Sequence, residues 1–179
     1  MRPWTEADFA PFAAMSADPA VMEHFPSTLT RAESDAVAER LKAHIERHGF
    51  GFWALEAPGV APFIGFAGLI HVSFEAPFTP APPAIAVEIG WRLAHEHWGK
   101  GYATEAARAA LAHGFGPLGL PEIVSFTTTT NTRSQAVMAR LGMTHDSAGD
   151  FDHPNVEDGH PLKRHVLYRL RAETQPHGK

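Results

Sequence analysis

Apolar residues along this chain fall into alternating runs of helical and strand period. Phe9, Phe12 and Met15 share one helical face behind Thr5 and Asp8, which stand at capping-box spacing and predict a first helix. Pro19 and Pro26 interrupt the stretch after that helix. Thr30 with Glu33 predicts a second helix, with Val37, Leu41 and Ile45 as its apolar stripe and Gly49 as its stop. Phe50 to Glu56 and Phe63 to Val72 read as strands joined at Pro58-Gly59. Four prolines between 76 and 83 make that stretch a loop. Ile85 to Leu93 alternates about Glu88 and reads as a third strand. Gly101 to Phe115 reads as a helix with Ala103, Ala106, Ala107, Ala110, Leu111 and Phe115 on one stripe. The small residues there predict close packing on a sheet. Glu122 to Thr130 is rich in β-branched residues and reads as a strand. Asn131 caps a short helix bearing Ser134, Val137, Met138 and Leu141, with Gly142 past its end. Arg164 to Leu170 is the last strand.

Strands before and after helices predict an α/β domain with a central mixed sheet. The helix after residue 101 joins two neighbouring strands, which makes that pair parallel. No repeat, low-complexity tract or linker divides the chain. One domain is expected over 1–171, with 172–179 as a flexible tail.

The segment His97-Trp98-Gly99-Lys100-Gly101-Tyr102-Ala103-Thr104-Glu105-Ala106 carries the most chemistry. It follows a strand and opens a helix. The first N–H groups of a helix lack intrahelical partners, and the macrodipole adds positive charge there. Glycines let backbone approach an anion closely. The turn therefore predicts a site for a phosphorylated ligand.

Composition narrows the choices. With no cysteine, disulfides, thiolate metal sites and a cysteine nucleophile are excluded. A net charge of −5, with 12 histidines, gives no footprint for nucleic acid. No apolar run approaches the roughly 20 residues of a membrane span, and no export signal is read. A cytoplasmic location is expected.

The turn lacks the P-loop pattern. A literal G-x-G-x-x-G at Gly114, Gly116 and Gly119 follows a helix rather than a strand and carries Pro117. A third pattern fits better. Trp98-Gly99-Lys100-Gly101-Tyr102-Ala103 resembles the [Q/R]-x-x-G-x-[G/A] signature of the GNAT-type N-acetyltransferases, with Trp98 in the Q/R position. W-G-K-G-Y-A-T-E-A resembles their RimJ/RimL-like branch. Arg2-Pro3-Trp4-Thr5-Glu6-Ala7-Asp8, Glu88-Ile89-Gly90-Trp91, Thr130-Asn131 with Ser134, and Leu141-Gly142-Met143 resemble further elements of that branch, in the same order. The family places one more strand before R-P-W, where this sequence has only Met1.

The resemblance implies a mostly antiparallel, twisted sheet with a V-shaped splay between the family's fourth and fifth strands. It implies acetyl-CoA as donor and a primary amine as acceptor, either a protein N-terminus or a small molecule, with a homodimer as one further partner. The diphosphate would sit on backbone amides at Gly99, Lys100, Gly101, Tyr102, Ala103 and Thr104. Pantothenate would pair with the strand at Trp91, Arg92 and Leu93, and Asn131 would reach the cofactor from the other side. Core packing for Trp91 and Leu93, and plain capping for Asn131, are the competing readings.

An attacking amine must lose a proton, and a carboxylate poised near neutral pH suits that task. If Val87, Ile89 and Trp91 face one way, Glu88, Gly90 and Arg92 face the other. Glu88 is then the expected general base, against a competing role in a structural ion pair. His71 and Glu75 are reserve bases. Ser134 matches the serine that faces the thiol in RimL-like enzymes, against a competing backbone-bonded role. Between Asp150 and His165, an ordered loop with internal hydrogen bonds is expected, against a direct role of Asp152, His153, His160 and His165 in binding a cationic substrate or moving protons; the resemblance implies that this loop borders the acceptor site. No H-x-x-x-H or H-E-x-x-H pair is read on a helix as a hydrolytic centre, and no metal is expected. A non-catalytic acyl-CoA sensor and a nucleotide-dependent oxidoreductase are the alternative functions.

Overall fold

The computed structural model describes residues 1–79 and 84–172. The last four residues of the proline loop, 80–83, and the tail 173–179 lie outside the described residues. The helices are α1 (Phe9–Ala17), α2 (Arg31–His48), α3 (Tyr102–Phe115) and α4 (Thr132–Arg140). The strands are β1 (Phe52–Ala57), β2 (Ala61–His71), β3 (Val87–Leu93), β4 (Glu122–Thr128), β5 (Thr144–His145), β6 (Phe151–Asp152) and β7 (Arg164–Arg171). They form one sheet in the order β1-β2-β3-β4-β7-β5, with β6 also on β7. Every pair is antiparallel except β3–β4, which is joined by the α3 crossover.

Local chemistry sets several boundaries. Thr30 accepts the Glu33 amide while the Glu33 carboxylate takes the Thr30 amide, the reciprocal box that starts α2. The α4 terminus is a Schellman arrangement: Met143 N–H bonds Met138 C=O and Gly142 N–H bonds Ala139 C=O. The first helix begins later than expected. Asp8 closes a box with Thr5, but Glu6–Asp8 is a tight 3₁₀ turn and α1 starts at Phe9. The Asp8 carboxylate also binds the Arg2 guanidinium through two 2.7 Å contacts, so it is drawn inward. Ile85 precedes β3 rather than opening it, and it is exposed. Strands β5 and β6 are two residues each, too short to leave a periodic signal.

The core has two main sides. Ile89, Ala107, Ala110, Leu111, Ile123 and Met138 pack where α3 and α4 cover one face. Ala107 and Ala110 keep α3 close to the strands. On the other face, Phe12, Ala38, Leu41, Phe63 and Phe66 pack beneath α1 and α2, with Trp4 among them. Ahead of α1, a single isolated bridge joins the chain to β1: Arg2 N–H donates to Ala54 C=O at 2.9 Å. The Trp4 indole N–H also bonds Phe52 C=O at 2.7 Å, so this segment covers part of the β1 edge. No helix among the described residues is long and apolar enough to cross a membrane.

Candidate active site

The parallel pair β3–β4 supplies the site's geometry. Among the described residues, Glu88 and Val124 are the one position where these strands are in register. Beyond it they separate. The buried Ser125 hydroxyl donates to Ile89 C=O at 2.9 Å, just past the point of parting. A cleft of about 1330 Å³ fills the opening. Glu88, Trp91, Arg92, Leu93, Gly99, Lys100, Gly101, Tyr102, Ala103, Thr104, Asn131 and Ser134 all line it. The reserve bases His71 and Glu75 do not.

At one end of the cleft, Gly99 and Gly101 adopt positive φ of 73° and 86°. That conformation is nearly strain-free only for glycine, and space around each Cα is open. Gly101 N-caps α3 with no capping side chain, and the first backbone bond returning to the turn is Glu105 N–H to Gly101 C=O at 3.0 Å. The amides of residues 99–104 therefore have no protein acceptor among the described residues. Trp98, the departure from the Q/R position, donates its indole N–H to Leu93 C=O at 2.8 Å. Its ring lies under Arg133, which also binds Glu23, so α4 and the segment after α1 meet over the turn.

Glu88, Gly90 and Arg92 share one face of β3, opposite the α3 side. The Phe52 ring stands so close to Gly90 that a Cβ would meet it at 2.8 Å. That same space leaves the Glu88 carboxyl open to the cleft. Glu88 has no hydrogen-bond or ion-pair partner among the described residues, and burial pushes its carboxyl up to about 8. The Arg92 guanidinium is stacked on Phe25 at 4.0 Å and faces Phe66 at 5.4 Å. Its Nε and Nη1 are buried without acceptors, and desolvation pushes it down to about 10. A carboxyl and a guanidinium thus border one cleft, and neither has a polar partner among the described residues.

On the β4 side, Asn131 caps α4 by accepting the Ser134 amide at 3.1 Å, and its own amide donates to Thr127 Oγ1 at 2.9 Å. The Ser134 hydroxyl, unlike the backbone-bonded alternative, has no protein hydrogen bond among the described residues. The histidine-rich segment divides. Its loop is internally bonded: His153 Nδ1 accepts Asn155 N–H, and His160 Nδ1 accepts Leu162 N–H. His153 and His165 also reach the cleft wall, whereas His160 does not. Burial, then the charges of His165 and Lys163, push His153 down to about 4. Sequence pattern does not reveal two further lining residues. His24 and Phe25 come from the aperiodic connection between α1 and α2, which gives no pattern to read. Contrary to the expectation from sequence, α2 does carry an H-x-x-x-H pair, His44 and His48.

Residues 1–144 match the Acetyltransferase (GNAT) domain. The chain belongs to the GNAT acetyltransferase family. This GNAT chain is 37% identical over 118 residues, 62% of its length, to FsC-acetyl coenzyme A-N(2)-transacetylase of Aspergillus fumigatus. The match covers 48% of that relative, so the GNAT chain spans about half its length. An acetyltransferase structure from Agrobacterium tumefaciens str. C58 aligns with TM-score 0.71 at 28% identity, over 95% of this chain and 88% of that one. RimL, a ribosomal L7/L12 α-N-protein acetyltransferase solved with coenzyme A, shares the fold with TM-score 0.72 at 16% identity, over 97% and 94%.

Proposed function

We propose that this chain transfers an acetyl group from acetyl-CoA directly to a primary amine. One observation carries the reading: an unpaired, half-buried carboxyl at the fork of β3 and β4 shares a cleft with a turn of unpaired amides. The amides of Gly99 to Thr104 would hold the diphosphate, with Lys100 adding charge. The free edge of β3 at Trp91 to Leu93 would take the peptide-like arm, and Asn131 would approach from β4. Acetyl-CoA supplies the activated thioester.

Glu88 accepts a proton from the acceptor ammonium, directly or through one water. The freed nitrogen forms the N–C bond as the C–S bond breaks. Ser134 donates a hydrogen bond to the departing thiolate, the second proton lost by the nitrogen as the amide forms neutralises that thiolate, and Glu88 releases the first to solvent. This route needs no acyl-enzyme. The R-P-W-x-x-x-D and W-G-K-G-Y-A-T-E-A elements support the RimJ/RimL-like branch.

The two unpartnered groups narrow the acceptor. A buried guanidinium without an acceptor is costly, and a ligand anion would relieve it. Glu88 on the same face serves the amine. An amine that also carries a carboxylate, such as an amino acid, complements both. The test is a screen of amino acids, polyamines and N-terminal peptides, following free-thiol release from acetyl-CoA. The expected result is turnover that favours carboxylate-bearing amines and is lost in Glu88→Gln. Turnover unaffected by Glu88→Gln would remove Glu88 as base.

A further inference from the structure

Away from the cleft, three imidazoles converge at the end of α2. His44 and His48 are one helical turn apart, and His48 is the last residue of α2. His71 is the last residue of β2 and lies in register with Val87 at the start of β3. The ring centroids are 4.4 Å apart for His44–His48, 4.6 Å for His48–His71 and 5.3 Å for His44–His71. One ring nitrogen of each lies within 4.8 Å of the others. Nitrogens bound tetrahedrally at about 2.0–2.1 Å stand roughly 3.3–3.4 Å apart, so the three rings must close in by up to about 1.4 Å through side-chain rotation.

The supporting atoms are in place. His44 Nδ1 lies 2.9 Å from Phe50 C=O. A carbonyl oxygen only accepts, so Nδ1 carries the proton and the lone pair is on Nε2. Carbonyl support of this kind orients a metal-bound imidazole. The Nε2 lone pair is held only by a long 3.4 Å contact from the His71 amide, which an ion would displace. His48 is exposed, which gives an ion an entry path and leaves a fourth position to water. The C-terminal end of a helix also favours a cation, against the opposing charge of nearby Arg47.

We propose that His44, His48 and His71 form a binding site for a divalent transition-metal ion of the zinc type, which clips the end of α2 to the β2–β3 pair. The imidazole ligand set selects for such ions over magnesium or calcium. The site is independent of the acetyl-transfer reading, and its test does not use activity.

The experiment is calorimetric titration of the full chain with Zn²⁺, alongside Co²⁺ binding followed by visible absorption. One equivalent should bind, with a tetrahedral Co²⁺ spectrum. His48→Ala and His71→Ala should each weaken binding by roughly tenfold or more, by the scale set for supporting residues of metal sites. His48 is exposed, so its variant folds and keeps the wild-type melting temperature without metal. Absence of stoichiometric binding would overturn the proposal. So would undiminished binding in His48→Ala, because the ion would then be held by others of the 12 histidines.

Discussion

Glu88 stands opposite Val124 at the last registered position before β3 and β4 part. Its carboxyl thus lies where the sheet opens, with Gly90 and Phe52 beside it. Glu88 is in register with Ile70 on β2 and with Val124 on β4, neither of which has a polar side chain. The fork gives Glu88 burial without a bonding partner, and that combination raises its proton affinity.

Replacing Glu88 by Gln should lower kcat by roughly 100- to 10,000-fold, the usual worth of a general base, while acetyl-CoA affinity is unchanged. With the carboxyl at about 8, wild-type kcat/KM should rise with pH through that value and then level. Stability carries the opposite sign. The unfolded carboxyl ionises near the ordinary 4.5, whereas the folded one stays protonated until about 8. The contribution of protonated Glu88 to stability is therefore complete below 4.5 and is lost as pH rises through 8. Glu88→Gln should remove that decline, measured as denaturation midpoints from pH 4 to 9. A decline that persists in the variant would show that Glu88 does not cause it.

Acetyl-CoA should raise the melting temperature, and Gly101→Glu should abolish most of the rise. At a hundredfold excess over Kd a ligand stabilises by about 2.7 kcal/mol. A side chain at Gly101 meets open space, so the substitution need not disturb the core. It does require a φ of 86°, which disfavours any side chain, and it sets a negative charge at the amides proposed to hold the diphosphate. A full thermal response to acetyl-CoA in a folded variant would move the anion site elsewhere.

The legible parts of this molecule are those with local causes. Thr30 and Glu33 announce α2, Asn131 announces α4, and the glycines at 99 and 101 announce an uncapped helix start. Alternation about Glu88 separates its face from that of Ile89, which the structure places against α3. The hidden parts depend on convergence. His24 and Phe25 reach the cleft from an irregular connection, and Ser125 ties the fork with a hydroxyl that looks, in sequence, like one of several β-branched or small strand residues. Sequence order sets His71 beside Glu88 because it ends the neighbouring strand. Sheet register puts it one position past Ile70, the partner of Glu88, and its ring turns to α2 instead.

Arg92→Met should separate acceptor recognition from chemistry. If the guanidinium takes a carboxylate, the lost charged hydrogen bond is worth about 1.5–3 kcal/mol, or roughly a 10- to 100-fold rise in KM. Amines without a carboxylate should show unchanged kinetics. The variant should also resist heat better in the absence of acceptor, because a buried unpaired cation is replaced by an apolar chain of similar length. Equal effects on charged and uncharged acceptors would rule out recognition of an anion by Arg92.

The N-terminal turn should be a stability element whose worth depends on pH. Arg2 donates to both Asp8 carboxylate oxygens at 2.7 Å, to Pro62 C=O at 2.6 Å and to Glu56 at 3.1 Å. Burial by itself would raise the Asp8 carboxyl, but the bonds from Arg2 and Thr5 outweigh it and hold the group below its ordinary 3.8. Asp8 is nearly inaccessible, so Arg2→Met leaves a buried carboxylate without its cation and should cost about 3 kcal/mol at pH 7. The wild-type contribution is complete above 3.8 and is lost as pH falls through the lowered folded value. In Arg2→Met the carboxyl reverts toward protonation under burial, so the penalty should shrink on acidification. Urea midpoints of both proteins at pH 7 and near pH 3 measure this. A pH-independent difference, or one within about 0.5 kcal/mol, would class the pair with ordinary surface contacts.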